Sequence, residues 1–282
     1  TVADGNYEMA ASKTGIHPLV KPVALNIENA EERSSLIQEA DLVISMMPPH
    51  LHYLIADDCL QHGRHLLTAS YLDDHIKKLS KQVAEKNVLF LCEMGLDPGI
   101  DHMSAMQMFE DIHAAGGTIH SFKSHCGGLI APESDDNPWH YKISWNPRNI
   151  IMAGKAGAVY KERGQVVHKK YEELFDPEKI VRAGDDEIYA YYPNRDSLPY
   201  IDLYNLSGID TFIRTTLRHP EFSFGWKNIV DLKLTDEEIV YDTSDMTVAE
   251  FFKEHFDKHK FQEWIANMLT ARLGYAREMM EK

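Results

Sequence analysis

The sequence predicts an α/β first third, a sheet-based and irregular second part, and a helical tail; three patterns predict it. Residues 1–95 alternate short β-branched or leucine-rich runs with amphipathic stretches. From Gly99 a helical period runs to a double glycine and gives way to segments rich in Tyr, Trp, Pro and Gly. The last stretch then returns to strong helical spacing. At 282 residues, with roughly 100–200 residues per domain, two domains fit and three do not.

The strand candidates are TVAD, PVALNI, DLVISMMP, HLLTAS and NVLFLCEM, each followed by a polar turn or a helix-compatible segment. HYLIADDCLQHG and DDHIKKLSKQVAEKN carry apolar residues at helical spacing and end near Gly or Asn. Strands alternating with helices in such short units imply a parallel sheet with helices on its faces. GIDHMSAMQMFEDIHAAGG reads as one helix of about 15 residues, and TIHSFKSHCGG after it alternates as a strand. TVAEFFKEHFDKHKFQEWIANMLTARLGYAREMMEK reads as helix with no stop signal. The chain starts on Thr1 inside a strand candidate, so both ends read as cut.

Composition narrows the function classes. Hydrophobic residues at 44% and charged residues at 26% are ordinary for a globular protein. The longest apolar runs fall far short of the roughly 20 residues that cross a bilayer, so no membrane partner is expected. A net charge of -15 spread along the chain disfavours nucleic acid, because phosphate affinity needs clustered Lys and Arg. Three widely spaced cysteines, Cys59, Cys92 and Cys126, point to a reducing cytoplasm rather than a disulfide framework. No metal site is expected.

Asp4 ends the first strand candidate. An acid there caps the second strand of a dinucleotide-binding (Rossmann) fold and bonds ribose hydroxyls, although an Asp before Gly and Asn is more often a turn. The preceding strand and its G-x-G-x-x-G turn are not found in these residues, and AGKAGA and HCGGL do not fit that spacing. The first domain therefore reads as an incomplete Rossmann-type sheet, without the helix N-terminus that holds a pyrophosphate.

GLDPGIDHM at 95–103, CGGLIAPESDDNPWHYKISWNPRN at 126–149, YPNRDS at 192–197 and IRTTLR at 213–218, in this order, resemble saccharopine dehydrogenase of the L-glutamate-forming type. The resemblance runs from Thr1 to about Arg218, with the tail matching loosely. It implies a partial Rossmann domain at 1–95, then an α+β substrate domain at 96–282 with a mixed sheet and a helical C-terminal segment. The implied reaction interconverts saccharopine with L-glutamate and 2-aminoadipate 6-semialdehyde. Hydride leaves the carbon beside a secondary amine for NAD or NADP, and water hydrolyses the resulting imine.

By this resemblance Tyr71, Asp97 and Cys126 handle protons, and Ser70 and Tyr71 face the substrate. Each also has a plain reading: Asp97 as a turn residue before Pro98, Tyr71 as strand-end packing, Cys126 as a strand cysteine. Arg195 and the pair Arg214 and Arg218 fall in motifs resembling the substrate-carboxylate sites, with Thr215 and Thr216 adding hydroxyls and Arg148 a further candidate. Arginine suits this work because its planar fork meets a carboxylate bidentately and stays charged. Asp101 and His102 stay open between catalysis and stabilising the start of a helix.

For the cofactor, Asp4 argues for NAD over NADP, since a carboxylate repels a 2'-phosphate. By the resemblance, Asn26 stands where the family commonly has Asp, Met46, Met47 and Pro48 are expected to pass the adenosine, and Leu96, Asp97 and Pro98 are expected to line the cofactor. Ile130, Trp139 and His140 depart from the family pattern. The expected partner is a small molecule with several carboxylates, and a homodimer is expected. Two other readings compete: a carboxylated-polyamine dehydrogenase, against which the arginines count, and a noncatalytic binding or dimerisation module.

Overall fold

The computed structural model describes residues 1–270 except 144–146, 185–186, 239–240, 264 and 267–269. Its contacts divide it into two compact units, Thr1–Ile119 and His120–Lys282. The helix that follows the glycine turn at 95–99 thus groups with the first unit, beyond the boundary at 95 read from the sequence.

The first unit holds five strands, β1 Val2–Asp4, β2 Pro22–Ala24, β3 Leu42–Ser45, β4 His65–Thr68 and β5 Phe90–Leu91, one inside each expected segment. Between them run α1 Tyr7–Thr14, α2 Ala30–Gln38, α3 His52–His62, α4 Asp74–Lys78 and α5 Ser80–Glu85; α6 Ile100–Ala114 follows β5. Side-chain caps start several of these helices: Asn6 Oδ1 accepts from the amides of Glu8 and Met9, and Asp73 Oδ1 accepts from that of Ile76. Gly63, left-handed at φ 64°, ends α3.

The strands of this unit pair in parallel, but they form two ladders rather than one sheet: β1 with β2, and β3 with β4 with β5. In the doubly wound strand order 3-2-1-4-5-6 these are the outer pair and the far triplet. The strand that joins them in that order is not among the described residues. The core sits under the triplet, where Leu66 on β4 packs with Ile37, Ile55, Ala56, Cys59 and Ile76 from three helices. Fully burying a leucine contributes roughly 1.5–3 kcal/mol. A buried ion pair links α2 to α3, with Arg33 Nε donating to Asp58 Oδ2 at 2.8 Å and an Arg33 terminal nitrogen to the Ile27 carbonyl.

The second unit is built on one mixed sheet, as the motif resemblance implies. Its strands are β6 Ser121–Cys126, β7 Ala158–Glu162, β8 Gln165–Lys169, β9 Ile180–Ala183, β10 Glu187–Pro193, β11 Arg195–Asp196 and β12 Thr211–Arg218. β12 is the hub, parallel to β6 and antiparallel to β10 and β7. The helices are α7 Arg148–Met152, α8 Pro199–Leu203, α9 Pro220–Asp231 and α10 Val248–His259.

The tail differs from its expectation. α10 opens with a capping box, Thr247 with Glu250, and closes where Lys260 turns left-handed at φ 57°. A lysine there gives no glycine signal, so the sequence reads straight through the stop. The part of the expected tail helix at 271–282 lies outside the described residues. No helix among the described residues is long and apolar enough to cross a membrane.

Candidate active site

In the first unit the candidates gather at the carboxyl ends of β3, β4 and β5, where open α/β sheets bind ligands. Register aligns Ser45 with Thr68, so the chain leaves adjacent strands at the same level into Met46–Pro48 and Ala69–Tyr71. The half-buried Tyr71 donates its hydroxyl hydrogen to Asp97 Oδ1 at 3.4 Å, a long bond of the kind that tightens when a ligand arrives. Tyr71 and Asp97 are thus brought together from loops 26 residues apart.

The turn carrying Asp97 is closed by backbone. The Gly95 amide donates to the Pro98 carbonyl at 2.9 Å, the Ile100 amide to the Gly95 carbonyl at 3.0 Å, and the Asp97–Pro98 peptide is cis. Gly99 sits at φ 150°, and a Cβ on it would lie 2.1 Å from the Gly95 oxygen. Asp101 Oδ1 accepts the Gly99 amide at 2.7 Å, so its carboxylate holds the turn and the start of α6. His102 Nε2 lies 3.0 Å from Glu93 Oε2, while Glu93 Oε1 accepts from the Leu72 amide. Glu93, at φ 60°, thereby ties β5 to the Tyr71 loop; sequence reading passed over it, and its one signal is an acid at the end of an apolar strand.

Other first-unit candidates are placed separately. Asp4 is exposed, and its Oδ1 accepts from the Asn6 amide at 2.8 Å. Asn26, also exposed, accepts from the Glu28 amide. Met47 packs against the core, and Met46 is 79% exposed. Leu96 is 60% exposed while Pro98 is buried. Apolar and polar groups thus stand together at a parallel-sheet carboxyl edge, a place where a dinucleotide could be held.

In the second unit β12 carries two of the candidate arginines, Arg214 and Arg218. Arg214 is 4% exposed with its guanidinium 4.4 Å from the centre of the Tyr200 ring. Its amide donates to Ser197 Oγ and its carbonyl accepts from the Asn194 amide, which fixes the Arg195 segment beside it. Arg195 is exposed at φ 52°. Arg218 lies over Tyr141 and Phe222, and its charge counters the burial that raises the Tyr192 phenol. Arg148 is drawn into a surface pair with Glu237 at 2.6 Å, a contact worth under about 1 kcal/mol.

Cys126 ends β6 opposite Thr216 in register. The buried Thr215 donates to the Ser124 carbonyl, so its oxygen accepts from His125 Nδ1 at 2.7 Å. That hydroxyl is spent within the sheet. His125 was not a sequence candidate, since an isolated strand histidine carries no motif.

Burial lowers the pKa of His52 and of His125, with Asp73 opposing the shift at the first and Lys123 reinforcing it at the second. Each histidine takes up protons more readily once unfolded, so the contribution is complete above the unfolded value of 6.5 and is lost as pH falls below it. Denaturant midpoints are therefore expected to fall between pH 7.5 and pH 5. A flat profile would contradict this.

A parallel, dinucleotide-type unit followed by a mixed-sheet unit with the buried Arg214 on its central strand defines a two-domain α/β protein of the nucleotide-cofactor class. Residues 1–91 match the family model of the saccharopine dehydrogenase NADP binding domain, and residues 95–280 that of the saccharopine dehydrogenase C-terminal domain. The chain belongs to the saccharopine dehydrogenase family.

The chain is 31% identical over 265 residues to saccharopine dehydrogenase [NADP(+), L-glutamate-forming] of Schizosaccharomyces pombe, covering 94% of this chain and 57% of that one. It is 38% identical over 222 residues to alpha-aminoadipic semialdehyde synthase of Arabidopsis thaliana, covering 78% of this chain and 21% of that one. Among solved structures, apo saccharopine dehydrogenase (L-Glu forming) from Saccharomyces cerevisiae superposes with a TM-score of 0.74 at 31% identity, covering 84% of this chain and 53% of that one. The chain thus spans little more than half of these relatives, or less. The matches support a nicotinamide dinucleotide and name NADP, not the NAD that Asp4 suggests.

Proposed function

We propose that the protein interconverts saccharopine with L-glutamate and 2-aminoadipate 6-semialdehyde. The observation that carries this is the Tyr71–Asp97 pair, a phenol against a carboxylate at the carboxyl edge of a dinucleotide-type sheet. A bound nicotinamide would accept the hydride from the carbon beside the secondary amine. The chain's own groups do the rest. Asp97 takes the amine proton through the Tyr71 hydroxyl as the hydride leaves, and that proton passes to solvent; water then adds to the iminium carbon, the pair moves its two protons to nitrogen, and the carbon–nitrogen bond breaks to release glutamate and the aldehyde. Arg214 and Arg195 hold carboxylates, and Cys126 adds a polar contact without covalent chemistry. Full-length protein given saccharopine and NAD(P) is expected to yield reduced cofactor and glutamate. No turnover, with another secondary amine consumed, overturns the assignment.

Within this reading NAD is the preferred cofactor, although the relatives are named for NADP(+). Asp4 is exposed at the end of β1, and residues 1–12 hold no Lys or Arg to neutralise a 2'-phosphate. The kcat/KM with NAD is expected to exceed that with NADP by about tenfold or more, the discrimination a like-charge clash supplies, and Asp4→Ser to reduce that ratio. A preference for NADP in the unaltered protein removes the proposal.

A further inference from the structure

The mechanism above does not use His52, a buried histidine, 2% exposed, at the first turn of α3. Its Nδ1 lies 2.8 Å from Ser45 Oγ, and its Nε2 lies 2.7 Å from Ser70 Oγ. Thr68 Oγ1 accepts the Ser70 amide and stands 3.4 Å from the same Nε2. Four polar side chains from the ends of two neighbouring strands and one helix therefore meet at the carboxyl edge, and one of them, Ser70, is the residue before Tyr71. A buried polar network is costly unless fully satisfied, and an apolar group of the same volume would serve packing as well. The arrangement calls for another purpose.

We infer that His52 is a positioning residue that turns the Ser70 hydroxyl into a hydrogen-bond donor for a carboxylate of the ligand. A neutral imidazole has one N–H and one lone pair, so the two serines are bound in opposite senses. With Ser45 donating to Nδ1, Nε2–H donates to Ser70 Oγ, and the Ser70 hydrogen points outward. The reverse tautomer spends that hydrogen on the ring and presents only lone pairs, which repel an anion. A carboxylate therefore selects the first. Burial shifts the ring toward its neutral form, and Asp73 at the start of α4 acts on it in the opposite sense. The inference rests on the functional reading above.

The test is a mutant cycle on the full-length protein, with saccharopine affinity measured by calorimetry without added cofactor, alongside kcat, KM and thermal midpoints. His52→Ala is expected to raise the Kd and KM about tenfold while kcat moves less than about threefold, one charge-assisted hydrogen bond being lost. His52→Gln, whose amide nitrogen reaches the Nε2 position, should recover most of the affinity; His52→Asn, which reaches only the Nδ1 position, should not. In a Ser70→Ala background the His52 changes should alter the Kd less than about twofold. Equal losses in both backgrounds, or a lower thermal midpoint with an unchanged Kd, overturn the inference and leave the functional reading standing. Should His52→Ala not fold, Ser45→Ala keeps the ring and removes its anchor; an unchanged Kd there overturns the inference too. Wild-type protein that neither binds nor turns over saccharopine removes both.

Discussion

Gly99→Ala is expected to destabilise the first unit by about 3 kcal/mol or more, the range of a buried backbone clash that nothing can relieve. The added Cβ would meet the Gly95 oxygen at 2.1 Å and the Gly95 nitrogen at 2.5 Å. Both are backbone, so no rotamer change removes the overlap. The φ of 150° also lies where side chains are rarely found. The turn would have to open, losing the Gly95–Pro98 and Ile100–Gly95 hydrogen bonds and the placement of Asp97 beneath Tyr71. Urea unfolding followed by circular dichroism checks this. Gly208→Ala is the control, since its Cβ would meet nothing within 4 Å, and it should change stability by less than about 0.5 kcal/mol. Equal effects at the two positions would remove the argument.

If Arg214 holds a saccharopine carboxylate as proposed, Arg214→Met is expected to weaken saccharopine binding by roughly 100-fold, about 3 kcal/mol, because a buried cation is removed from its partner. Arg214→Lys should recover only part of this, since an ammonium lacks the planar fork. The guanidinium rests on the Tyr200 ring, so some stability is lost with it. Affinity and thermal midpoint must therefore be read together. A variant that melts lower yet binds saccharopine as tightly as the wild type would reassign Arg214 to packing.

Much of the architecture was legible because its signals are local. Five β-branched or leucine-rich runs each contain a strand, and the period from Gly99 to Ala114 forms one helix, since the apolar spacing of each matches a single geometry. The four motifs led to the right family for a similar reason: turns such as GLDPGIDH need glycine and proline at fixed places. What was lost is non-local. DDHIKKLSKQVAEKN reads as one helix but breaks at Leu79, whose amide turns back to Ile76 before the next turn resumes from the Leu79 carbonyl. No residue there announces a break. Periodicity also does not say which strands pair, so the two parallel ladders were expected as one sheet.

At the site, the loops carrying Tyr71 and Asp97 were identified, but their hydrogen bond spans 26 residues. His52 could not be singled out, because a histidine at the head of an apolar helix has no meaning until Ser45, from the end of β3, and Ser70, from the loop after β4, arrive beside it. Arg148 illustrates the converse. Its motif marked it as a carboxylate holder, and the carboxylate it holds is Glu237, 89 residues away in the same chain.

β12 bears on how tightly a ligand could be held. The strand is hydrogen-bonded to β6 and β10, contacts β7 through Phe212, and buries Thr211 to Thr215. A side chain rooted there, and laid on an aromatic ring as Arg214 is, has surrendered most of its rotational freedom when the domain folds. Immobilising a long side chain on binding otherwise costs about 0.5–1.5 kcal/mol. Little of that entropy is left for the ligand to remove. Such a strand also resists re-aiming its cation, so it would reward a diacid whose spacing fits and give little to one whose carboxylate is displaced by a single methylene.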